Sequence, residues 1–192
     1  MKAVRVGAVL ALGALSMGGC TPDWAKGSGD VVLLMTAIND GKPLDSDVVI
    51  SSGGVCPDLV SLRLENHFKN PAVTGTSFVN DYTVQRYEVH YIRSDGRSVE
   101  GVDVPYSITG NVAQEVINSQ DAELLIEVVR RQAKLEAPLL NLEKGGSIIV
   151  TMFADITIYA TTTTGVVLNP VSGRLQIDFA NFGDTLTSCP TT

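Results

Sequence analysis

The stretch Ser147-Ile148-Ile149-Val150-Thr151-Met152-Phe153-Ala154-Asp155-Ile156-Thr157-Ile158-Tyr159-Ala160, followed by Arg174-Leu175-Gln176-Ile177-Asp178-Phe179, decides the fold. In the first piece Ile148, Val150, Met152, Ile156 and Ile158 alternate with other residues, and a register break is expected near Ala154-Asp155. In the second, Leu175, Ile177 and Phe179 share one face. Successive side chains of a strand point to opposite sides, so a period of two means one face in a core and the other in water. Between the pieces, Thr161–Thr164 is β-prone, while Gly165, Asn169-Pro170 and Ser172-Gly173 supply turns.

Working outward, the same rhythm recurs. Val31–Ile38 runs extended into the turn cluster Asn39-Asp40-Gly41, and Val60–Asn66 alternates apolar and polar residues. Val84–Ile92 stops at Ser94-Asp95-Gly96-Arg97, a strong turn signal. Val104–Ile108 reads as a further extended piece, with Pro105 placing it at an edge or bulge. Ala122–Leu135 reads two ways. Leu124, Leu125, Val128 and Val129 have helical spacing with Asp121 as N-cap, yet Leu124-Ile126-Val128 is also an extended run. A strand followed by a loop is the preferred reading, because an isolated helix needs a sheet edge to pack on. Short strands joined by turns, with no βαβ rhythm, predict an all-β antiparallel sandwich over residues 31–192, with room for one short helix.

The N-terminus carries a different signal. Lys2 and Arg5 precede an apolar run from Val6 to Leu15, and Ser16-Met17-Gly18-Gly19-Cys20 follows. A run of about ten residues is too short to cross a hydrocarbon core of about 30 Å as a helix, and suits a cleavable export segment over residues 1–19. Gly18-Gly19-Cys20 resembles the lipobox of bacterial lipoproteins, although Met17 stands where Leu is commoner. The resemblance implies that Cys20 receives the lipid, becomes the N-terminus and attaches the chain to a membrane. Thr21 in place of Asp is similar to the outer-membrane sorting pattern of enteric bacteria. Residues 20–30, with Pro22, Gly27, Ser28 and Gly29, read as a flexible tether.

The domain itself resembles the immunoglobulin-like or fibronectin-like sandwiches carried by surface lipoproteins, on Ala154–Tyr159 and the closing run Leu175–Phe179. The likeness is one of rhythm over most of the mature chain. The Cys-Trp-Cys core of antibody domains is missing, since the single Trp, Trp24, lies in the tether. Fold likeness of this kind does not carry a function.

Charge and cysteines narrow the classes. The formal net charge is −7, and loss of Lys2 and Arg5 with the export segment makes it more negative, which argues against nucleic acid and against electrostatic docking to anionic lipid. With Cys20 lipidated, Cys56 and Cys189 remain as a pair in an oxidising compartment, and a disulfide is expected.

Chemistry is sparse. Gly75-Thr76-Ser77-Phe78-Val79 lacks the last Gly of a nucleophile elbow, and neither Ser-x-x-Lys nor His-Glu-x-x-His occurs. His67 and His90 sit at strand positions that suit surface roles better than base catalysis. Asp45-Ser46-Asp47 and Asn80-Asp81 fall short of a calcium ligand set, so no metal or cofactor is expected. Phe78, Tyr82, Tyr87, Tyr91, Tyr106 and Tyr159 are candidates for a recognition surface. The expectation is a non-enzymatic, lipid-anchored envelope protein with a structural or protein-binding role. The alternative is a carbohydrate-binding module or an enzyme with a loop-built site.

Overall fold

The computed structural model describes residues 30–70, 72–73, 80–117, 120–144, 148–182 and 187–189. The export segment, Cys20 and most of the tether therefore lie outside the described residues, as do Ser77, Phe78 and Ser147. The strands in chain order are β1 (Val31–Ile38), β2 (Leu44–Asp47), β3 (Asp58–Phe68), β4 (Tyr82–Arg93), β5 (Ile108–Val116), β6 (Asp121–Val129), β7 (Val150–Thr162) and β8 (Val171–Ala180). They form a three-stranded sheet in the order β1-β3-β6 and a five-stranded sheet in the order β2-β8-β7-β4-β5. The first order matches strands A, B and E of an immunoglobulin-type sandwich, and β8-β7-β4-β5 matches G, F, C and C′.

The deciding stretch behaves as its period requires, without the expected break. Met152, Ala154, Ile156, Ile158 and Ala160 are all buried along β7, so the register runs unbroken through Ala154-Asp155. Ala154 is small but still inward, which made the alternation look interrupted. Ile148 and Ile149 precede the strand and are exposed. Leu175, Ile177 and Phe179 enter the core together from β8.

Two further expectations are revised, and the segment that read two ways is decided in favour of the preferred strand. Val104–Ser107 is not a strand: Val104 is buried at the close of a turn and bridges Glu100, and the strand begins at Ile108. β5 was hard to see because it is an edge strand with only Ile108 and Val116 buried, and its other inward positions include Gly110, under the Tyr87 ring, and Gln114. The ambiguous segment is strand through Val129 and then one helical turn, α1 (Arg131–Lys134). The sandwich is also not wholly antiparallel. β2 pairs parallel to β8, with Leu44 opposite Ile177 and Asp47 opposite Ala180. After Ile38 the chain makes a 3₁₀ turn over Asn39–Gly41 and crosses to the other sheet, still running in the direction of β1.

Two tyrosines bind the sheets across the core. The Tyr82 hydroxyl donates to the Glu65 carbonyl at 2.9 Å, and the Tyr91 hydroxyl donates to the Val128 carbonyl at 2.6 Å. Burial pushes both phenols well above their ordinary range. Tyr87 is buried as well, its ring lying over Gly110, where an added Cβ would sit 2.2 Å from a ring carbon. Only glycine fits there. Tyr82, Tyr87 and Tyr91 are therefore core residues and not a recognition surface; Tyr106 is exposed and Tyr159 half-buried.

Strand direction sorts the connections into two ends. Asp30, the start of the described chain, accepts a hydrogen bond from the Lys69 amide at 2.9 Å, beside the β3–β4 and β7–β8 connections. At the opposite end lie residues 48–57, 94–107, 130–144 and 148–149, and, after β8, residues 181–182 and 187–189. Cys56 and Cys189 are joined there, with their Cα atoms 5.3 Å apart across 133 residues of sequence. In the chain-entropy account, closing so long a loop is worth about 4–5 kcal/mol. Reduction should lower the urea midpoint through a stability loss of that order and raise m, because the denatured chain without its cross-link exposes more surface. An unchanged midpoint would show that the bridge contributes nothing.

Candidate functional site

The far end is built around a charge that the fold takes out of water. α1 follows β6 directly and turns Lys134 inward, leaving its side chain 1% exposed. The Lys134 ammonium donates to the Asp47 carbonyl at 2.8 Å and to Asp58 Oδ1 at 2.9 Å, and stands 2.9 Å from Asp58 Oδ2. Ser46, fully buried on β2, donates its hydroxyl to Asp58 Oδ2 at 2.5 Å. One ammonium and one hydroxyl thus hold a single carboxylate at the point where β2 of one sheet approaches β3 of the other. Burial raises the Asp58 carboxyl above its ordinary value, and Lys134 and Ser46 pull it part of the way back.

Beside this cluster opens a cleft of about 490 Å³, walled by Leu44, Ile50, Leu59 and Phe182 on its apolar side and by Asp45, Asp47 and Lys134 on its polar side. Cys56 also lines it, so the disulfide borders the cleft. In the sequence Asp45-Ser46-Asp47 stands out as two acids two residues apart that fall short of a calcium ligand set. In the fold Ser46 points inward between them, and Asp47 Oδ1 is taken up by the Val49 and Phe182 amides at 3.4 and 3.2 Å. Among the described residues, no group of three His, Cys, Asp or Glu is placed to hold a metal ion.

A second feature of this end is apolar. Val99, Val102 and Tyr106, on the β4–β5 connection, are 59%, 67% and 61% exposed. Leu135, Leu140, Ile148 and Ile149, on the β6–β7 connection, are exposed too. The two connections meet around a small hollow lined by Pro105, Tyr106, Arg130, Ala133 and Glu136. The β4–β5 connection is braced by charge. Arg97 bonds Asp95 through Nε at 3.0 Å and Nη2 at 2.7 Å, and reaches Asp103 at 3.4 Å. The Arg97 hydrogen bonds pull the Asp95 carboxyl from its ordinary 3.8 down to about 2.

The two candidate histidines are placed apart. His67 contacts Glu65 at 2.8 Å on the outer face of the smaller sheet. His90 lies on the outer face of the larger sheet with its Nδ1 2.8 Å from Ser107 Oγ, and Ser107 Oγ also donates to Glu100 Oε1. This trio has the residue types of a hydrolase but the wrong wiring. The carboxylate takes the serine proton, which leaves the imidazole as donor to the hydroxyl; a base-activated serine needs the reverse. The motif around Ser77 and Phe78 falls outside the described residues.

The Lys134–Asp58–Ser46 cluster was not foreseen. Lys134 stands in a basic stretch, Arg130-Arg131-Gln132-Ala133-Lys134, that reads as solvated, and nothing local marks the last residue as the inward one. No protein-family model, curated protein or solved structure matches the chain.

Two outcomes follow from these charges. Asp58→Ala leaves a buried ammonium without its carboxylate and should cost about 3–5 kcal/mol, read as a drop in urea midpoint; joint replacement by Asp58→Leu and Lys134→Met should be far milder. The two acids respond to pH with opposite sign. Asp58, raised, contributes stability in acid that is lost as pH rises through its folded value; Asp95, lowered, contributes stability above 3.8 that is lost as pH falls towards 2. A carboxyl NMR titration should place Asp95 near 2, and Arg97→Ala should return it towards 3.8. A normal Asp95 midpoint in the unaltered protein would contradict the bracing of this loop.

Proposed function

We propose that this chain is a lipid-anchored protein of the bacterial cell envelope that presents the far end of its sandwich to a protein partner. The observation that carries the reading is Cys20, set directly after an apolar run and Gly18-Gly19, with a spacer to Asp30. Asp30 enters the domain at the end opposite the disulfide, so a membrane attached at Cys20 would leave the far end pointing away from it. That end carries the exposed Val99, Val102 and Tyr106, and exposed apolar groups gathered on neighbouring loops are a feature of interaction surfaces. The outer membrane is the destination favoured by Thr21. Attachment then resides in the acyl chains, which suits a domain with net negative charge.

A small-molecule role for the cleft is the second reading, supported by its volume and by the acids Asp45 and Asp47 on its wall. Against it, the Asp58 carboxylate on the cleft wall already accepts from Lys134 and Ser46, leaving little polar capacity for a substrate.

Metabolic labelling with a fatty acid tests the anchor: Cys20→Ala should lose the label and accumulate the longer precursor. Label retained on that variant would end the lipoprotein reading. For the partner, Val102→Asp should weaken in-membrane crosslinking to a neighbouring envelope protein without lowering the urea midpoint. Crosslinking unaffected by that change, with the anchor intact, would move the partner surface elsewhere.

A further inference from the structure

We propose that the first half of β8 receives an extended, acidic segment of another chain, which adds to the five-stranded sheet on the line that β2 leaves unfilled. This surface lies along one side of the sandwich. It is separate from the exposed loops of the far end and does not depend on them.

β8 runs from Val171 to Ala180, but β2 pairs with it only from Ile177, opposite Leu44, to Ala180, opposite Asp47. Among the described residues, no strand pairs with Val171–Gln176 on that side. The phase of the strand decides which backbone groups are directed there. The Ala180 carbonyl accepts the Val48 amide at 2.9 Å, so Ala180 turns its polar groups towards the β2 side. Successive residues of a strand turn theirs to alternate sides. Arg174 and Ser172 therefore present one N–H and one C=O each to the unfilled line, while Val171, Gly173 and Leu175 bond to β7. β2 itself shows that this edge accepts extended backbone.

The space beside the edge has the right shape. A groove of about 420 Å³ lies between β8 and β1, with Met35 and Ile38 on one wall and Gly173, Arg174 and Gln176 on the other. Gly173 lets the two strands approach so closely. An added Cβ there would sit 2.6 Å from Ile38 Cδ1 and 2.8 Å from Met35 Sδ. The groove thus offers backbone groups along β8 and half-buried apolar side chains from β1. Strand addition uses both, the ladder for affinity and the apolar contacts for alternate side chains of the incoming segment.

Charge selects the occupant. Lys42 and Arg174 line the groove and no Asp or Glu does, in a chain with 21 acidic and 14 basic residues. Arg174 spends its charge on Asp155, at 2.6 and 2.9 Å. That leaves the exposed Lys42 to meet a carboxylate of the incoming strand. Lys and Pro at a strand edge also serve to keep other strands away, and Lys42-Pro43 stands here. The two roles predict opposite outcomes.

NMR of the full mature chain, ¹⁵N-labelled and held in detergent micelles, distinguishes them. The probes are the peptide Thr-Val-Glu-Val-Thr-Val-Glu and its counterpart with Lys in place of Glu. The acidic peptide should give saturable shifts at the Ser172 and Arg174 amides and slow their hydrogen exchange, with no slowing at Gly173. Lys42→Glu should weaken its binding about fivefold. Ser172→Pro removes one edge donor without touching the β7 ladder, and should abolish binding. Methylating alternate backbone nitrogens of the peptide should do the same on the unaltered protein. Absence of any response at Ser172 and Arg174, or equal binding of the lysine peptide, would overturn the proposal and leave Lys42-Pro43 as a guard on the edge.

Discussion

Between Ile38 and Leu44 the chain leaves one sheet and joins the other without reversing, and the rest of the molecule is arranged around that crossing. Because β1 pairs with β3 only over Leu62–Phe68, the first residues of β3, from Asp58, have β6 on one side and no β1 on the other. Because β2 instead lies along β8, Ser46 comes to face that uncovered stretch from the opposite sheet. The crossing is made by Asn39 and Asp40, both in the left-handed backbone region, and Gly41 after them. Asn39 fixes it with its side-chain amide, which donates to the Lys42 and Pro43 carbonyls at 3.0 and 3.2 Å.

This explains why a buried ion pair sits in a domain whose core is otherwise largely apolar. Apolar side chains at Ser46, Asp58 and Lys134 would fill the gap at less desolvation cost, since buried pairs seldom outdo hydrophobic residues of the same volume. What the charged set adds is direction. An ammonium with three partners on two different segments fits in one arrangement, and that fixes how the β6–β7 connection closes over the end of the sandwich. The disulfide acts on the same region through covalent closure, holding Cys189 beside the start of β3.

How much of this was legible depends on whether a residue's environment is set by its near neighbours. Strands buried on one face announce themselves by alternation, so β3, β4, β7 and β8 could be read directly from apolar positions such as Val60, Leu62 and Leu64 or Leu175, Ile177 and Phe179. The pairing of Cys56 with Cys189 followed from counting. β5 was missed because an edge strand buries little, and its ladder to β4 is made of backbone groups that every sequence possesses. The parallel contact of β2 was missed because four residues, Leu44 to Asp47, carry no period long enough to measure. The polar cluster was beyond reach for a related reason. Ser46, Asp58 and Lys134 are ordinary surface residues one at a time, and only a long-range contact across 76 residues of chain turns them inward.

The direction of the strands has a mechanical meaning. The described chain starts at one end of the sandwich with Asp30 and is last held, at Cys189, at the other. A pull between those two points runs along the strands and not across them. The hydrogen bonds of β1 to β3, from Val31 opposite Phe68 to Ile38 opposite Leu62, then bear the load together in shear. A ladder loaded in that way has to fail as a whole, whereas one pulled from its side unzips a rung at a time. The domain is thus oriented to transmit tension from its point of entry to its far loops without coming apart strand by strand.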